Sequence, residues 1–380
     1  MESIANQIRE LFEKANDEER RKIHADIREL QWSLDSDWDL LARMFAGYLQ
    51  FILLRFGHDL GIFTRLTASS DPITLGAIAA ESGASPSLLG HILRAMSSFG
   101  LITETSKGTF AANRATRTLS NEHVVGALPS FFECHAPAAL AAPAFFKDRK
   151  YQSITSNKDL PFQRALNTDL TPFEWLKQNP AQMKSLGHTM ALQRDGHWTG
   201  SYPVEKEVGS FSPATESALL VDIGGGFGQQ SVVFKMAFPS LPGRIVVQDI
   251  PETLSRAPTV DGVSFESYDF FTTQPITNAK FYYLRHILHD WTDEDSVRIL
   301  KAIVPAMGPD SRVVIDEVVL PDENVPWQAA FMDLTMMMTL GGMERTRDEY
   351  ESLLDQAGLK IVDVHRYDAK MQGVVLAVPK

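Results

Sequence analysis

The chain has 380 residues, of which 44% are hydrophobic and 22% charged, and its formal net charge at pH 7 is −12. This composition is ordinary for a globular protein, and the length favours two domains over a single core. The negative charge argues against a nucleic-acid partner, whose phosphates attract basic surfaces. The single cysteine, Cys134, makes no intramolecular disulfide, so we expect a reducing compartment, the cytoplasm. We expect no membrane partner, because no long uninterrupted apolar stretch occurs.

The N-terminal part of the chain is predicted to be helical. Residues 1–30 carry apolar side chains at helical spacing and predict one amphipathic helix, and residues 39–65 predict helices that are buried on several sides. Residues 73–113 predict two short helices followed by a hairpin, which is the pattern of a winged helix-turn-helix. The second of these helices offers only His91 and Arg94 as basic side chains, so we interpret the motif as a scaffold and not as a DNA reader.

From residue 218 onward, apolar strands alternate with amphipathic helices, which predicts an α/β domain with a mostly parallel sheet. The last two strands are joined only by the segment RYDAKMQ, which is too short for a crossover helix and predicts an antiparallel pair. We therefore expect an N-terminal helical domain at 1–120, a helical connecting region at 121–210 and a Rossmann-like domain at 211–380.

The segment LLVDIGGGFG joins a buried strand to a helix through glycines that let the backbone turn sharply and approach a ligand. Its glycines, which include Gly224 and Gly226, do not keep the G-x-G-x-x-G spacing of dinucleotide-binding loops. Asp222 precedes the loop and would repel phosphates, whereas Asp249, at the end of the next strand, suits ribose hydroxyls. A cationic ligand with a ribose fits better, and S-adenosylmethionine (SAM) has both features. The alternative is a tight turn without a ligand.

Asp269 and Phe270 follow the third strand, at the sheet edge where α/β domains bind ligands. An acid there could bond an adenine amino group while the aromatic ring packs on the adenine face. A polar turn with a core phenylalanine explains the pair almost as well.

The segment RHILHDW, residues 285–291, lies between the fourth strand and a helix. His286 is surrounded by apolar residues, which favours a core histidine. His289 lies at the strand boundary beside Asp290, and it is the better candidate for a general base, since imidazole titrates near neutral pH. We expect no metal site, because the sequence contains neither H-x-x-x-H nor C-x-x-C.

Two glutamates are candidates to orient the imidazole of His289. Glu317 ends the fifth strand, and Glu344 precedes a later helix. A carboxylate that bonds one imidazole nitrogen fixes the tautomer and leaves the other nitrogen free to accept a proton. Each glutamate could instead be a solvated turn residue or a helix cap, which is the commoner fate of such a residue.

The segments LVDIGGGFG, QDIPETL, HILHDWTDED, DEVVLP and GGMERTRDEYESLLDQAGL occur in this order. Together they resemble the SAM-dependent O-methyltransferases of the caffeic-acid and plant–fungal type, over nearly the whole chain. The resemblance implies a winged-helix domain that forms a homodimer and contributes to the partner's active site. It also implies a class I methyltransferase domain with a seven-stranded sheet, and methyl transfer from SAM to a phenolic or enolic hydroxyl of a small secondary metabolite.

The resemblance assigns roles to matching positions in this sequence. His289 matches the family's base, and Glu317 and Glu344 match its two supporting glutamates. Arg285 stands where the family often has lysine, which keeps the charge but changes the shape. The residues expected to bind the cofactor are Asp222, Gly224, Gly226, Asp249, Asp269, Phe270 and Arg285, and those expected to bind the substrate are His135, Met190, Asp290, Met336 and Thr339.

The resemblance leaves a second enzyme class open. Certain fungal pericyclases keep SAM but use its positive charge, and a cationic residue replaces their HDW histidine. The presence of His289, Glu317 and Glu344 favours methyl transfer. A SAM-sensing or DNA-binding regulator is disfavoured, because the second helix of the winged-helix motif lacks a basic face.

Overall fold

The computed structural model describes residues 2–192, 198–209, 211 and 217–380. The chain divides into two compact units. The first unit contains residues 1–21, 134–175 and 195–380, and the second contains residues 22–133 and 176–194. Each unit is assembled from separated stretches of chain, whereas the sequence predicts successive segments.

The elements are numbered in chain order. The helices are α1 (Glu2–Lys14), α2 (Asp17–Leu34), α3 (Asp37–Phe45), α4 (Gly47–Asp59), α5 (Ile62–Ala68), α6 (Leu75–Ser82), α7 (Pro86–Ser98), α8 (Arg114–Leu119), α9 (Glu122–Ser130), α10 (Ala136–Asp148), α11 (Pro161–Leu166), α12 (Pro172–Gln178), α13 (Pro180–Leu192), α14 (Val204–Val208), α15 (Gln229–Ala237), α16 (Pro251–Leu254), α17 (Asp293–Ile303), α18 (Trp327–Thr339) and α19 (Arg347–Gln356). The strands are β1 (Ile73–Thr74), β2 (Thr103–Ser106), β3 (Thr109–Ala111), β4 (Ala218–Ile223), β5 (Arg244–Asp249), β6 (Val263–Ser267), β7 (Phe281–Arg285), β8 (Arg312–Leu320), β9 (Arg345–Thr346), β10 (Leu359–Arg366) and β11 (Gln372–Pro379).

The predicted winged-helix elements are present in the second unit, where α6 and α7 precede the hairpin of β2 and β3. Gly83 ends α6 with φ +71°, and Gly108 turns the hairpin with φ +68°, a backbone region that favours glycine. Strand β1 completes a three-stranded antiparallel sheet in the order β1-β3-β2. Ile62, Leu89 and Leu93 are fully buried in the core of this unit.

The prediction of a single helix over residues 1–30 is wrong, because the chain forms α1 and α2 there. The backbone N–H of Glu19 donates to Oδ1 of Asn16 (3.0 Å), and the N–H of Asn16 donates to Oε2 of Glu19 (2.9 Å). This reciprocal pair is a capping box, which satisfies the free N–H groups of a new helix and separates α2 from α1.

The burial predicted for residues 39–65 is wrong for most of α3 and α4. The helices form, but Met44 is 62% exposed and Phe45 64% exposed. Contiguous exposed apolar surface of this kind marks an interaction site. We define the α3–α4 face by its exposed apolar side chains, which are Trp38, Leu41, Met44, Phe45, Tyr48, Leu49, Ile52 and Phe56.

The sheet of the first unit confirms the seven main strands and the antiparallel final pair. The strand order is β10-β11-β8-β7-β4-β5-β6, and β4 to β8 run parallel to one another. Strand β9 adds a two-residue parallel pairing to β8 that the sequence analysis missed, because two residues show no periodicity. Since parallel strands end at the same edge, the segments that follow β4, β5, β6, β7 and β8 meet there.

One helical run of the described residues, Glu122–Asp148, is long and apolar enough to cross a membrane, and the bent pair of α3 and α4 meets the same criterion if it is counted as one span. Both findings rest on length and composition alone, and core helices of soluble proteins meet the same criterion. The expectation of no membrane partner therefore stays a prediction.

Candidate active site

The glycine loop after β4 adopts a conformation that only glycine accommodates easily. Gly224 and Gly226 have φ +70° and +59°. A Cβ atom on Gly224 would lie 2.5 Å from Cδ1 of Ile287, so a side chain there would displace the Ile287 side chain. The N–H of Gly226 donates to Oδ2 of Asp249 (2.9 Å). The loop backbone is thereby fixed between the ends of β4, β5 and β7.

Asp222 lies near the end of β4 and supports this loop. Its carboxylate is buried and accepts a hydrogen bond from the hydroxyl of Ser231 (2.7 Å). A Cβ atom on Gly225 would lie 2.5 Å from Cγ of Asp222, so the carboxylate packs against the loop backbone. Burial raises the pKa of Asp222 to about 7. A direct contact between Asp222 and a cofactor stays a prediction.

Phe270 lies beside the glycine loop, since a Cβ atom on Gly224 would be 3.8 Å from its ring. Its ring also packs edge-on against Phe271 and Trp291, with centroids 5.1 and 5.9 Å away. Asp269 is exposed, and its Oδ1 accepts from the N–H of Phe271 (3.0 Å). The structure thus brings Phe270 to the predicted cofactor loop, with Asp269 next to it in the chain.

His289 is buried in a short 3₁₀ turn, Leu288–Asp290, after β7. Its Nδ1 donates to Oε1 of Glu344 at 2.8 Å, which is the predicted pairing, and Nε2 lies 3.4 Å from Oδ1 of Asp290. Burial alone would lower the pKa of this imidazole, but the carboxylates of Glu344 and Asp290 outweigh it and raise the pKa to about 10. An imidazole with one nitrogen fixed and the other beside an acid is arranged for proton transfer.

Asp290, whose role the sequence left open, shares this environment. Burial raises the pKa of its carboxyl to about 7, although the nearby His289 acts in the opposite direction. Its carboxylate lies beside Nε2 of His289, the nitrogen that Glu344 leaves free. A substrate hydroxyl that reaches this nitrogen would also meet Asp290.

Glu317 holds the turn and does not bond the imidazole, which corrects the expectation drawn from the sequence. Its Oε1 accepts from the backbone N–H groups of Ile287 (3.0 Å), Leu288 (2.6 Å) and His289 (3.3 Å). The hydroxyl of Tyr350 donates to the other oxygen (2.7 Å). The turn places its unpaired N–H groups against the strand end that carries Glu317, so the carboxylate satisfies the backbone there.

Arg345 holds the same turn from its carbonyl side, and the sequence analysis missed it. Its guanidinium is fully buried and donates to the carbonyls of Leu288 and Trp291, both at 3.1 Å, and it pairs with Asp293 at 2.8 Å. Position 342 also requires glycine, because a Cβ atom there would lie 1.9 Å from the carbonyl oxygen of His289. The only signal in the sequence is the segment GGMERT, in which these residues flank Glu344.

Arg285, which was predicted to face the cofactor, forms hydrogen bonds with side chains of the sheet and of the loop after β10. Its Nη1 donates to Oδ2 of Asp316 (2.7 Å) and to the hydroxyl of Tyr367 (3.1 Å). Tyr283 also donates to Asp316, at 2.5 Å. A cofactor contact for Arg285 stays a prediction.

Helix α18 approaches the site through Asp333, whose Oδ1 accepts from the N–H of Glu344 (3.0 Å). Met336 and Thr339 are buried on this helix, and the Thr339 hydroxyl donates to its own helix at the carbonyl of Thr335 (2.6 Å). The structure brings α18 to the site, while the contribution of these two side chains to a substrate wall stays a prediction.

The other two predicted substrate residues, His135 and Met190, lie on different elements. His135 ends a π-helical turn, Phe131–His135, and burial lowers the pKa of its imidazole to about 4. Met190 is half exposed on α13, in the second unit. Their roles stay predictions. No cluster of three or more His, Cys, Asp or Glu side chains within the described ranges is placed to hold a metal ion.

His286 differs from the core histidine that the sequence favours. Both of its ring nitrogens are shielded from solvent and have no hydrogen-bond partner among the described residues. Its backbone has φ +50°, and its ring lies 4.8 Å from the ring of His289. Oε2 of Glu344 is also buried without a partner there.

Comparison with known proteins places this geometry in a context. A family model described as an O-methyltransferase domain matches residues 154–360, and one described as an O-methyltransferase dimerisation domain matches residues 42–122. The chain is 50% identical to demethylsterigmatocystin 6-O-methyltransferase of Aspergillus parasiticus over 380 residues, which are 100% of this chain and 98% of that protein.

Two similar solved structures have descriptions that bear on the cofactor and on the activity. One, "The structure of LepI complex with SAM", has a TM-score of 0.93 and 33% identity, and covers 100% of this chain and 98% of that one. Another, "A Pericyclic Reaction enzyme", has a TM-score of 0.94 with the same identity and coverage. The chain is therefore similar both to a protein named as an O-methyltransferase and to a structure described as a pericyclic reaction enzyme.

Proposed function

The chain belongs to the O-methyltransferase family, and from this premise we propose that it transfers the methyl group of SAM to a hydroxyl oxygen of a small secondary metabolite, with His289 as general base. The observation that carries the proposal is the buried pair of His289 and Glu344, whose side chains are 2.8 Å apart. His289 lies in the turn after β7, and Ile287, which precedes this turn, contacts the glycine loop. A carboxylate-oriented imidazole beside a ligand-binding loop suits deprotonation of a hydroxyl.

The residues around the glycine loop fit SAM. When bound, SAM supplies an electrophilic methyl group. Gly224 and Gly226 have no side chains to block a ligand, and their left-handed backbone conformation favours glycine. Asp249 uses each carboxylate oxygen once, for Gly226 and Ile250, and each oxygen can accept a further bond from a ribose hydroxyl.

His289 would take the proton at Nε2, because Glu344 holds Nδ1. Its raised pKa, about 10, is close to the pKa of a phenol, about 10. Proton transfer from a phenolic hydroxyl to neutral His289 is then nearly balanced in free energy. The same carboxylates keep the imidazole protonated at neutral pH, so the rate should increase with pH as His289 loses its proton.

A pericyclic activity is the second candidate, and the raised pKa of His289 is the observation that favours it. A protonated imidazole adds positive charge to the site, as the cationic residue does in the pericyclases that the sequence resembles. This activity would leave the methyl group of SAM in place.

One assay separates the two candidates. The enzyme is incubated with SAM and either demethylsterigmatocystin, the substrate in the name of the A. parasiticus relative, or a panel of phenolic polyketides. Formation of S-adenosylhomocysteine with a methylated product supports methyl transfer. A rearranged product without S-adenosylhomocysteine supports the pericyclic activity and overturns the first proposal.

Replacement of the base tests its assignment in the same assay. We expect His289→Ala to lower the rate by about 10²–10⁴-fold while leaving SAM affinity unchanged, which is the usual size of a general-base contribution. The matched control is His91→Ala on α7, which should retain full activity. An active His289→Ala enzyme removes His289 from the proposed mechanism.

The proposal includes a homodimer formed through the N-terminal domain and a location in the cytoplasm. The dimerisation-domain match over residues 42–122 and the exposed α3–α4 face support the homodimer. The sequence has a single cysteine, Cys134, which cannot form an intramolecular disulfide, and this supports a reducing compartment. A fluorescent fusion that localised to a secretory compartment would contradict the location.

A further inference from the structure

We propose that His286 is a substrate-binding residue that hydrogen-bonds a second oxygen of the acceptor, adjacent to the hydroxyl that is methylated. The inference deepens the proposed function and rests on it. It defines the acceptor class as an aromatic compound that carries two neighbouring oxygens, either two hydroxyls or a hydroxyl beside a carbonyl.

The first observation is that both ring nitrogens of the half-buried His286 are buried without partners. Both ring nitrogens are shielded from solvent, and no described residue bonds either one. More than nine in ten buried polar groups in proteins have a partner, and an exception calls for an explanation. A histidine that only filled the core would cost free energy here, because an apolar residue of similar size would not leave two polar atoms unpaired. A bound polar ligand would give one of these nitrogens a partner.

The second observation is the backbone of His286, which has φ +50°. This left-handed region is uncommon for residues with a Cβ atom, and such outliers cluster at functional sites. Neighbouring bonds hold the conformation in place: the N–H of His286 donates to the carbonyl of Asp316 (3.2 Å), and the N–H of Ile287 donates to Glu317 (3.0 Å). The sequence therefore keeps histidine at a position where glycine or asparagine would be less strained.

The third observation locates the ligand atom. The His286 ring lies 4.8 Å from the His289 ring, tilted by 44°. The glycine loop is in contact with the next side chain, that of Ile287. Two rings this close can bond two oxygens that are attached to neighbouring atoms of one ligand. We therefore assign His286 to the acceptor and not to the cofactor.

The charge state of His286 suits this contact. Burial lowers the pKa of its imidazole well below the usual value, and the positive charges of His289 and Arg285 lower it further. A neutral imidazole has one N–H donor and one acceptor nitrogen. It can donate to a carbonyl or accept from a hydroxyl, so the neighbouring oxygen can be of either kind.

The test compares two isomers that differ only in the spacing of their oxygens, 2,3-dihydroxynaphthalene and 2,7-dihydroxynaphthalene. Binding is measured by calorimetry with S-adenosylhomocysteine present, and methylation by kcat/KM. We expect the wild-type enzyme to prefer the 2,3-isomer by about tenfold, which is the size of one added hydrogen bond. His286→Phe should lose this preference and bind S-adenosylhomocysteine as the wild type does.

A second variant distinguishes the loss of this hydrogen bond from a folding defect. Asparagine tolerates the left-handed backbone and keeps a donor and an acceptor, so His286→Asn should retain part of the preference. Circular dichroism and thermal unfolding of both variants report on the fold, and His91→Phe on α7 is the matched control.

Three results overturn the inference: a wild-type enzyme without isomer preference, whether it binds both or neither; a His286→Phe enzyme that keeps the preference; or a loss of S-adenosylhomocysteine affinity in His286→Phe. Failure of the proposed function looks different. In that case the isomer preference in binding is present, but the wild-type enzyme methylates no acceptor.

Discussion

His289 lies between two carboxylates, and its protonation depends on them. Glu344 holds Nδ1 at 2.8 Å, and Asp290 lies 3.4 Å from Nε2. Because the imidazole is buried, these charges act through a poorly screening medium and keep the proton on the ring above the usual pH. The pair therefore stabilises the imidazolium that forms during proton abstraction and reduces the fraction of free base at neutral pH.

Glu344→Gln should separate these two effects. The amide has no charge, so the pKa of His289 should fall toward its usual value and the rising limb of the pH–rate profile should move to lower pH. The plateau rate should also fall, because the imidazolium loses its partner. Measuring kcat from pH 6 to pH 10 tests both, with the exposed Glu351→Gln as the matched control. A rising limb that stays in place would show that Glu344 does not set the pKa.

At the scale of elements, the turn after β7 is held by hydrogen bonds to its backbone N–H groups and to its backbone carbonyls. Glu317 on β8 accepts from three successive backbone N–H groups, and Arg345 on β9 donates to the carbonyls of Leu288 and Trp291. The contacts fix the backbone on either side of His289 and do not touch its imidazole. Glu317 and Arg345 are therefore positioning residues.

Arg345→Met should lower kcat by about tenfold to a hundredfold, since small misplacements of a reacting group cost rate on this scale. SAM affinity should change little, because the glycine loop is not bonded to Arg345. Arg345→Lys, which keeps the charge, should recover part of the rate without a shift of the pH profile. The neighbouring exposed Arg347→Met is the control. A shifted pH profile in Arg345→Met would mean that Arg345 acts on the pKa of His289.

Gly342→Ala tests the contact between the loop that joins α18 to β9 and the turn that carries His289. The added Cβ atom would lie 1.9 Å from the carbonyl oxygen of His289, so the backbone must move. We expect lower kcat together with a lower unfolding temperature. Gly76→Ala on α6 is the control, because a Cβ atom there meets nothing within 4 Å. Equal behaviour of the two variants would contradict the close approach.

The sequence predicts elements well here and contacts less well. The strands from β4 to β8 are apolar runs, so their existence and order of appearance could be predicted. Glu344 could be named as a candidate partner of His289 from its position, and the family resemblance assigned it the same role. The partners of Glu317 and Arg345 could not be predicted, because they are backbone atoms whose positions only the folded turn defines. The lack of partners at the His286 ring could not be predicted for the same reason. Strand β9 is too short to leave a pattern.

At the scale of the whole molecule, the α3–α4 face is the feature that a single chain leaves unexplained. The sequence indicates burial over residues 39–65, yet Met44 and Phe45 are 62% and 64% exposed. The face lies largely within residues 42–122, which match the dimerisation domain. The exposed apolar side chains and the burial predicted from the sequence agree if a second copy covers the face.

A charge in the α3–α4 face should therefore separate the protomers. Phe45→Glu would place a carboxylate in an apolar interface, and burying an unpaired charge is costly. We expect the wild type to sediment as a dimer and Phe45→Glu as a folded monomer, as measured by analytical ultracentrifugation and circular dichroism. Val362→Glu, at an exposed position on β10, is the control and should remain dimeric. A monomeric wild type, or a Phe45→Glu protein that stays dimeric, would show that this face is not the dimer interface. Loss of methylation in the monomer would add that the acceptor site needs the second copy.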